Sequence, residues 1–559
     1  MFTLKHPTVM PVQDTCIPEQ ARPRTAHLDS AHVGDIQGAW GTIRKEETAP
    51  RKSWFARLLA LLVIMGPGLV TMVGDNDVGG IATYTQAGQN YGTSLLWTLL
   101  LLIPVLIVNQ EMVVRLGAVT GVGHARLIFE RFGRFWGAFS VIDLFILNFL
   151  TIVTEFTGFA MALQYFGISP LISIPVGVLG LIAVTVTGSY RRWESAMWVC
   201  LLVSTLMLPL ALLPHPAFGP IVRDTFLPTI RGGTTSNALL IIIAIVGTTV
   251  APWQLFFQQS NVIDKRITPR WIKNERIDTV VGAFLTNIEA AGLMVAAAFV
   301  FAGTTFDGAF VDVATTAHAY TQLGHPVMGV FLALILLNAS IIGANAVTLS
   351  TSYAFGDVFG VRHSLHRTVG EAKLFYGTFM GMIVLAGAIV LIPGVPLGLL
   401  TLAVQALAGI LLPSATVFLV LLCNDRDVLG PWVNKPWQNA TAAVIVGLLV
   451  MLSLILAAVT LFPDVNANVL TGVLGSLLGA SLVGMGIVAQ LQRRRRGPGA
   501  QLAAHSRREK ETWRMPPLAE LTKPAWSTTR TIGMLTLRLY LVVAVILLVV
   551  KVIQLAIGH

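Results

Sequence analysis

Two aspartates, Asp75 and Asp77, interrupt an otherwise apolar run near the start of the chain. A carboxylate in the middle of a bilayer costs at least about 2.5 kcal/mol, so each aspartate needs a compensating partner. No Lys or Arg lies near these positions in the same run, which predicts that a cation or a proton compensates the charge of Asp77. The structural alternative for both residues is that they cap a half-helix or line a wet vestibule. For Asp75 both interpretations stay open, because residues two apart in an unwound segment need not face one cavity.

Glycine and proline residues interrupt two of the apolar runs in their middle. The first run is interrupted at 66–68 (Gly-Pro-Gly) and over 74–80, and the sixth is interrupted over 247–253. Because the offset of five runs is odd, the second set of five helices enters the membrane from the opposite side, which is typical of an inverted repeat. Paired unwound helices in such folds meet at the bilayer midplane, where freed carbonyl groups and half-helix ends coordinate the substrate. The sequence therefore predicts a binding site where the two interruptions meet.

The composition indicates a chain that lies mostly in a membrane. Of its 559 residues, 54% are hydrophobic and 12% are charged, whereas soluble proteins carry roughly 25% charged residues. The apolar residues form blocks of about 20, the length that a helix needs to cross the hydrocarbon layer. Twelve blocks are predicted to span it, at 57–87, 93–119, 138–165, 170–189, 195–213, 237–262, 279–303, 326–356, 372–393, 397–423, 440–462 and 467–490. A further run at 532–557 is either a thirteenth span or an interfacial hairpin.

Basic residues fall in alternate loops between these blocks, which predicts a cytoplasmic N-terminus in a chain that crosses the inner or plasma membrane. The basic loops hold Arg51, Lys52 and Arg57; Arg126, Arg131 and Arg134; Arg191 and Arg192; Lys265, Arg266, Arg270, Lys273 and Arg276; Arg362, Arg367 and Lys373; Arg426 and Lys435; and Arg493 to Arg496. This distribution accounts for the formal net charge of +10, so we expect no nucleic-acid partner.

The predicted organisation has five parts. Residues 1–50 form a disordered cytoplasmic tail, residues 51–425 form a ten-helix transport core, and residues 426–490 form two accessory transmembrane helices. Residues 491–530 form a basic cytoplasmic linker, for which the alternative is a topology anchor, and residues 531–559 hold the additional apolar run. Because no Walker loop, Ser-His-Asp set or cysteine cluster occurs, we predict neither an enzyme nor a cofactor.

Several separated motifs over residues 55–460 resemble those of the Nramp (natural resistance-associated macrophage protein) family of divalent-metal transporters. The motifs are Gly66-Pro67-Gly68, Asp77-Val78-Gly79-Gly80, Gln86-Ala87-Gly88, the stretch Arg115-Leu116-Gly117-Ala118-Val119-Thr120-Gly121, and Gln405 with Leu412-Pro413. The resemblance implies an all-α polytopic membrane protein with the leucine-transporter-like fold of the APC superfold. That fold is a 5+5 inverted repeat with broken helices 1 and 6, here followed by additional C-terminal transmembrane helices. It also implies Asp77, the Thr248 carbonyl region and Gln405 as metal-site positions.

Two departures from the family pattern bear on the choice of ion. Gly80 stands where the family has Asn, and Ala251-Pro252-Trp253 stands where it has Met-Pro-His. A thioether favours soft or borderline ions, so its replacement by Ala251 removes a filter against hard ions. The remaining oxygen ligands are local carbonyls and Asp77, Asp75, Gln405, Thr248 and Thr249. Mg²⁺ usually keeps several waters, for which the small Gly80 and Ala251 leave room, and the pattern is similar to the prokaryotic Nramp-related magnesium transporter branch.

The proton-handling residues implied by the resemblance are also altered. The two helix-six histidines of the family fall on Trp253 and Gln258, neither of which titrates near neutral pH. Glu155 matches an acidic position of the family in the third helix, where it either relays protons or makes a structural hydrogen bond. These three residues are the further pathway candidates.

We predict a monomeric secondary transporter that takes up divalent cations, most of all Mg²⁺ and also Mn²⁺, by alternating access and without proton coupling. Its expected partners are the transported ion and the lipid bilayer. One alternative is a proton-coupled Mn²⁺/Fe²⁺ symporter of the Nramp type. The alternative from another class is a membrane metal sensor on the same fold that binds the ion without transporting it.

Overall fold

The computed structural model describes residues 26–47, 51, 53–233, 236–393, 397–461, 466–495, 507–522, 531, 533–535, 537–540 and 542. Helices account for most of these residues. They are α1 Trp54–Ile64, α2 Pro67–Val73, α3 Val78–Tyr91, α4 Leu96–Thr120, α5 His124–Phe132, α6 Arg134–Tyr165, α7 Pro170–Thr185, α8 Tyr190–Ser204, α9 Met207–Leu212, α10 Phe218–Phe226, α11 Ser236–Thr249, α12 Pro252–Asp264, α13 Ile272–Phe301, α14 Val313–Gln322, α15 Pro326–Phe359, α16 Lys373–Val390, α17 Leu397–Cys423, α18 Arg426–Leu429, α19 Pro436–Leu461, α20 Ala467–Arg495 and α21 Arg507–Thr512.

Within the described ranges, nine helices are long and apolar enough to cross a membrane, or up to eleven if each bent pair counts as one span. The predicted span at 170–189 corresponds to α7, which is apolar but has only 16 residues. The predicted span at 195–213 is divided between α8 and α9. The many long apolar helices agree with the all-α membrane architecture that the sequence indicates.

The first and the sixth spans are broken where the sequence predicts. A bend of 52° separates α1 from α2, and Gly66 makes it possible because its φ of 147° is a conformation that L-residues rarely adopt. Residues 74–77 then separate α2 from α3, and residues 250 and 251 separate α11 from α12. Pro67 and Pro252 each begin the helix that follows an interruption, a position where the missing N–H costs nothing.

The halves of the two broken helices pack in matching pairs. The helix α3 packs against α11 and α2 packs against α12, while α13 lies along both α2 and α3. The long helices α6 and α15 pack against each other on the other side of the first span. The two interruptions are therefore brought together inside the bundle.

Residues 26–47 form a folded segment, where the sequence predicted a disordered tail over 1–50. Ser30–His32 is a short 3₁₀ helix, and Ile36–Gly38 (β1) pairs antiparallel with Gly41–Ile43 (β2). Both Ile36 and Ile43 are buried, because the hairpin packs against α1 and α8. The prediction was wrong here because some partners of this segment, such as Arg367, which is 338 positions from Asp29, are distant in sequence. Residues 1–25 and 48–50 lie outside the described residues.

The basic linker predicted over 491–530 is also partly folded. The helix α20 continues to Arg495, and Met515 is fully buried with its N–H donating to the Val119 carbonyl oxygen at 3.2 Å. Arg131 donates to the Thr522 carbonyl oxygen at 2.6 Å. Residues 507–522 therefore dock onto the bundle. Most of the additional run predicted over 531–559 lies outside the described residues.

Candidate metal site

Asp77 lies at the end of the interruption in the first span and is buried. Its backbone is extended, and its Oδ1 accepts a hydrogen bond of 2.8 Å from the N–H of Gly80, which caps the N-terminus of α3. The capping role that the sequence left as an alternative is therefore present. It engages Oδ1, so capping the helix and coordinating an ion through Oδ2 are compatible.

Asp75 lies two residues earlier and is also buried. Neither of its carboxylate oxygens has a hydrogen-bond partner among the described residues. The side chain faces Gln254 of α12, whose Oε1 accepts from Gln110 Nε2 at 3.2 Å. A buried carboxylate without a partner is costly, which makes Asp75 a second position where a cation or a proton would relieve the charge.

Thr248 and Thr249, at the end of α11, differ in what their hydroxyl groups do. Thr248 Oγ1 is buried without a hydrogen-bond partner among the described residues. Thr249 Oγ1 donates to the Ile245 carbonyl oxygen at 2.6 Å and contacts the Tyr84 hydroxyl at 2.7 Å. The hydroxyl group of Thr248 is therefore available to a ligand, whereas that of Thr249 is already engaged within the protein.

Gly80 lies where the two broken helices approach each other. A Cβ added at Gly80 would lie 3.0 Å from the Asp75 carbonyl oxygen and 3.2 Å from Thr248 Oγ1. A larger side chain here would enter the space between the two interruptions. The absence of a side chain at residue 80 allows Asp75 and Thr248 to come this close to its backbone.

Gln405 of α17 joins the same place from a third direction and is buried. The side-chain amide of Gln405 lies so close to Gly79 that a Cβ at residue 79 would overlap it. The backbone carbonyl oxygen of Gln405 would lie 2.8 Å from a Cβ at Gly247. Asp77, Gly80, Thr248 and Gln405 thus lie around the point where the two breaks meet.

The residues at the start of α12 lie beside the meeting point of the two breaks, on the side nearer to the hairpin of β1 and β2. Ala251 is buried with extended backbone at the N-cap position of α12. The Trp253 ring reaches to 3.4 Å from a Cβ placed at Gly74, so it packs against the first interruption. Gln258 lies two turns further along α12 and donates to Thr279 Oγ1 at 3.3 Å.

Glu155 of α6 lies directly beside the metal-site candidates and is fully buried. Its Oε2 accepts from the N–H of Val78 at 3.4 Å, whereas Oε1 has no hydrogen-bond partner among the described residues. A Cβ added at Gly343 of α15 would contact both the Glu155 carboxyl group and, at 3.2 Å, Asp77 Cβ. The structural hydrogen bond that the sequence left open is therefore made, and the second oxygen is still available.

Sequence reasoning did not select the contact between Asn76 and Glu289. Asn76 Nδ2 donates to Glu289 Oε2 of α13 at 3.0 Å and to the Thr286 carbonyl oxygen at 3.1 Å. The available signal was a glutamate in an apolar run, but only the packing of α13 along α2 and α3 shows which residue it meets. This contact anchors the interruption from the side opposite Glu155.

The donor set at the meeting point consists mainly of neutral oxygens. Across the described ranges, no group of three or more His, Cys, Asp or Glu side chains lies close enough to hold a metal ion. The available donors are the two aspartates, the hydroxyl group of Thr248, the amide of Gln405 and backbone carbonyl groups of the breaks. Such oxygen donors suit hard divalent cations.

Comparison with known proteins identifies the family. The model of the family described as natural resistance-associated macrophage protein-like matches residues 68–459. The chain belongs to the Nramp family. One relative, the divalent metal cation transporter MntH of Latilactobacillus sakei, is 26% identical over 422 residues, which cover 71% of this chain and 89% of that protein. The protein of the same name from Xanthomonas campestris is 28% identical over 470 residues, with 78% and 96% covered.

A solved structure supports the same assignment of fold. The manganese transporter of Eremococcus coleocola superposes with a TM-score of 0.62 at 20% identity, covering 80% of this chain and 97% of that one. The leucine-transporter-like fold predicted from the sequence is thereby confirmed. The identity is too low for the comparison to carry more than the fold.

Proposed function

We propose that this Nramp-family chain is a membrane transporter that moves divalent metal cations by alternating access. The observation that carries the proposal is the convergence of Asp77, Thr248 and Gln405 where the two broken helices meet. The described residues place no basic side chain on Asp75 or Asp77, so a cation is the natural counter-charge. The MntH relatives, named as divalent metal cation transporters, support a transporter and not an enzyme.

The proposed ion is Mg²⁺, with Mn²⁺ also accepted. Ala251 supplies no thioether that would favour softer ions, and the small Gly80 and Ala251 add no side chain that would displace the waters that Mg²⁺ keeps. Thr248 and Gln405 add neutral oxygens, which suit a partly hydrated hard ion.

Transport is proposed to run without protons, driven by the membrane potential and the ion gradient. Moving a divalent ion toward a negative interior gains about 4.6 kcal/mol per 100 mV. Trp253 and Gln258 carry no group that titrates near neutral pH. The basic loops support a plasma-membrane orientation in which the end of the bundle that carries residues 26–47 faces the cytoplasm.

A second candidate is a proton-coupled symporter of Mn²⁺ or Fe²⁺, and the position of Glu155 favours it. This buried carboxyl group lies beside Asp77 and keeps one oxygen without a hydrogen-bond partner among the described residues. A proton could therefore be held next to the ion without a helix-six histidine. The two candidate functions therefore assign different roles to Glu155.

Flux into liposomes separates these candidates. Purified full-length protein is reconstituted, and uptake of Mg²⁺, Mn²⁺ and Ca²⁺ is measured while an internal dye reports pH. We expect Mg²⁺ and Mn²⁺ uptake with no acidification. Acidification that tracks the flux and disappears in Glu155→Gln would establish the symporter instead, and ion binding without flux would identify a sensor.

A further inference from the structure

The first half of the first broken span, α1, has few contacts with the helix bundle. Of its eleven residues, Ala60, Val63 and Ile64 are buried, and the exposed aromatic residues Trp54 and Phe55 begin it. Among the elements that the structure describes, α1 packs mainly against α13 and the two strands of the hairpin, β1 and β2. The bend of 52° that separates α1 from α2 is the hinge of this span. The position of α1 at the hinge therefore depends on the hairpin.

Two glycines let the hairpin lie directly on the end of α1. A Cβ added at Gly38 would collide with the Val63 carbonyl oxygen, and one at Gly41 would lie 3.1 Å from Val63 Cγ2. Because a backbone oxygen cannot rotate away as a side chain can, any side chain at residue 38 would push the hairpin and α1 apart. The hairpin and α1 are therefore fitted closely enough to move together.

One carboxylate joins the hairpin to the hinge and to the end of α12. Glu194 of α8 accepts from the N–H of Ala39, in the hairpin turn, through Oε2 at 2.6 Å, and from Lys265 Nζ through Oε1 at 2.5 Å. Lys265 follows α12 directly and also donates to the Met65 carbonyl oxygen at the hinge, at 2.8 Å. The side chains of Glu194 and Lys265 are fully buried. The hairpin, α8, α12 and the hinge thus meet at one group of bonds that is shielded from water.

The residues before the hairpin bind the same end of the bundle. Arg266, beside Lys265, donates to the Ala31 and Asp35 carbonyl oxygens at 2.8 and 3.1 Å. The guanidinium group of Arg367, in the loop between α15 and α16, donates to Asp29 at 2.9 Å. Residues 26–47 therefore extend from α1 across the end of α12 to that loop. They fasten one half of each broken helix at the end of the bundle that the basic loops predict to be cytoplasmic.

We propose that residues 26–47 are a clasp that holds α1 on α8 and closes the cytoplasmic end of the ion route, and that the clasp must undock from α8 for the ion to leave. The proposal rests on the function proposed above. Alternating access requires one end of the paired half-helices to open while the other is closed. Here α1 is the half that can swing at the hinge, because few of its residues are buried. Since β1 packs on both α1 and α8, α1 carries the hairpin with it when it moves.

The first test does not depend on transport. Gly38→Ala should separate the hairpin from the Val63 carbonyl oxygen, and hydrogen exchange of the purified full-length protein, read by mass spectrometry, reports on each segment. We expect exchange at least about tenfold faster in both 26–47 and 54–64, with α13 unchanged. Thr42→Ala, at an exposed position of the same hairpin, is the matched control and should exchange like the parent. Faster exchange that is confined to the hairpin, or no change in either segment, would overturn the proposal.

The second test fixes the clasp on α8. Trp40 in the hairpin turn and Trp198 of α8 pack edge to face, with ring centroids 5.6 Å apart. Cysteines at both positions, in a background with Cys16 and Cys200 replaced by Ser, are joined in detergent by a bismaleimide crosslinker that contains a disulfide bond. The remaining Cys423 is buried. After reconstitution, Mn²⁺ uptake into liposomes should cease in the crosslinked protein and return when a reductant cleaves the crosslinker.

Matched controls keep the clasp separate from the proposed function. The single variant Trp40→Cys, treated with the same reagent, should keep its uptake, because one cysteine cannot fix the hairpin on α8. Uptake by the crosslinked protein at the rate of the untreated double variant would overturn the clasp while the transporter function stands. If neither the parent nor the untreated double variant moves any divalent cation, the proposed function fails and the gating role fails with it. The exchange test then still measures whether the hairpin holds α1.

Discussion

At the scale of single residues, Asp77 combines a structural bond with the proposed coordination of the ion. Its Oδ1 caps α3 by accepting from the N–H of Gly80, and Glu155 lies beside it. Removing the side chain therefore removes both the helix cap and the proposed ligand, so stability and ion uptake have to be measured separately. Asp312 offers a comparison, because it caps α14 in the same way with a bond of 2.7 Å from the N–H of Thr315.

We expect Asp77→Ala to abolish divalent-cation uptake in liposomes and to lower stability by about 1 kcal/mol through the lost cap. Asp312→Ala should lose a similar amount of stability and keep uptake near the parent rate. Asp77→Asn, which can still cap the helix, should retain stability and lose uptake. Uptake by Asp77→Asn near the parent rate would exclude the carboxylate as a ligand.

Ala251 is where the proposed choice of a hard ion is decided. Ala251→Met supplies a polarizable sulfur atom and fills space near Asp77, so it adds a soft ligand and removes water from the ion. Mn²⁺ and Cd²⁺ should bind about fivefold more tightly, while Mg²⁺ uptake falls by more than that factor. The measurement is Mg²⁺ flux in competition with Mn²⁺ and Cd²⁺. An unchanged ratio of Mg²⁺ to Mn²⁺ uptake would mean that residue 251 does not face the ion.

At the scale of elements, α2 is a short helix held at both of its ends. Its start is bound by Asp278, and near its end the Met72 carbonyl oxygen accepts from Thr286 Oγ1 at 2.7 Å. Both holding residues belong to α13. Any movement of α2 relative to α13 must therefore break these bonds, and the bend of 52° at Gly66 is the natural pivot for such a movement.

Gly66→Ala should impair both folding and transport. The backbone φ of 147° is unfavourable for an L-residue, and the new Cβ would collide with the Glu194 carboxylate. We expect a loss of at least about 1 kcal/mol in thermal unfolding and a clear fall in flux. Gly180→Ala in α7 is the matched control, since a Cβ there meets nothing within 4 Å, and it should stay within about 0.5 kcal/mol of the parent. Equal behaviour of the two variants would contradict the close packing at the hinge.

At the scale of the whole molecule, residues 26–47 tie several distant helices together. Arg367 binds Asp29 through two nitrogens at 2.5 to 3.0 Å, and this contact holds the pKa of Asp29 below its usual range. The N–H of His363 also donates to Asp29 Oδ2 at 3.0 Å. Arg266 donates to the carbonyl oxygens of Ala31 and Asp35. The segment thus bridges the end of α12 and the loop after α15.

Docking of this segment should weaken in mild acid. Burial lowers the pKa of His27 from 6.5 to about 4, with nearby His32, Arg514 and Lys45 adding to the effect. Because the folded pKa lies below the unfolded one, the docked state is fully favoured above about pH 6.5 and loses stability as the pH falls toward 4. Hydrogen exchange of residues 26–47 should therefore rise over that window after correction for intrinsic rates.

A His27→Gln variant provides the comparison for this pH dependence. It removes one titrating group, and His32, whose pKa burial also lowers, stays in place. The acid-induced rise in exchange should become shallower but not vanish. Exchange in the parent that does not change between pH 6.5 and 4.5 would show that the neutral form of His27 is not needed for docking.

The sequence by itself determined the architecture and most of the candidate site. Two interruptions five spans apart, in runs long enough to cross a bilayer, predict an inverted repeat whose broken helices meet. That local pattern is sufficient to select Asp75 and Asp77 as site candidates, because a carboxylate within an apolar run has few explanations. The resemblance to the Nramp family then added the Thr248 region, Gly80 as a departure from the family motif, and Gln405, which no local signal marks.

Only the tertiary structure decided which side chains are free and which are engaged. Thr248 and Thr249 are adjacent and identical in type, yet one hydroxyl group lacks a described partner while the other binds Tyr84. Lys265 looks like any loop lysine until α8 and α13 bring carboxylates around it. The folded state of residues 26–47 likewise depends on partners such as Arg367, 338 positions from Asp29. Such contacts depend on how helices pack across the bundle, and hydrophobic periodicity along one helix carries no information about the residue that faces it.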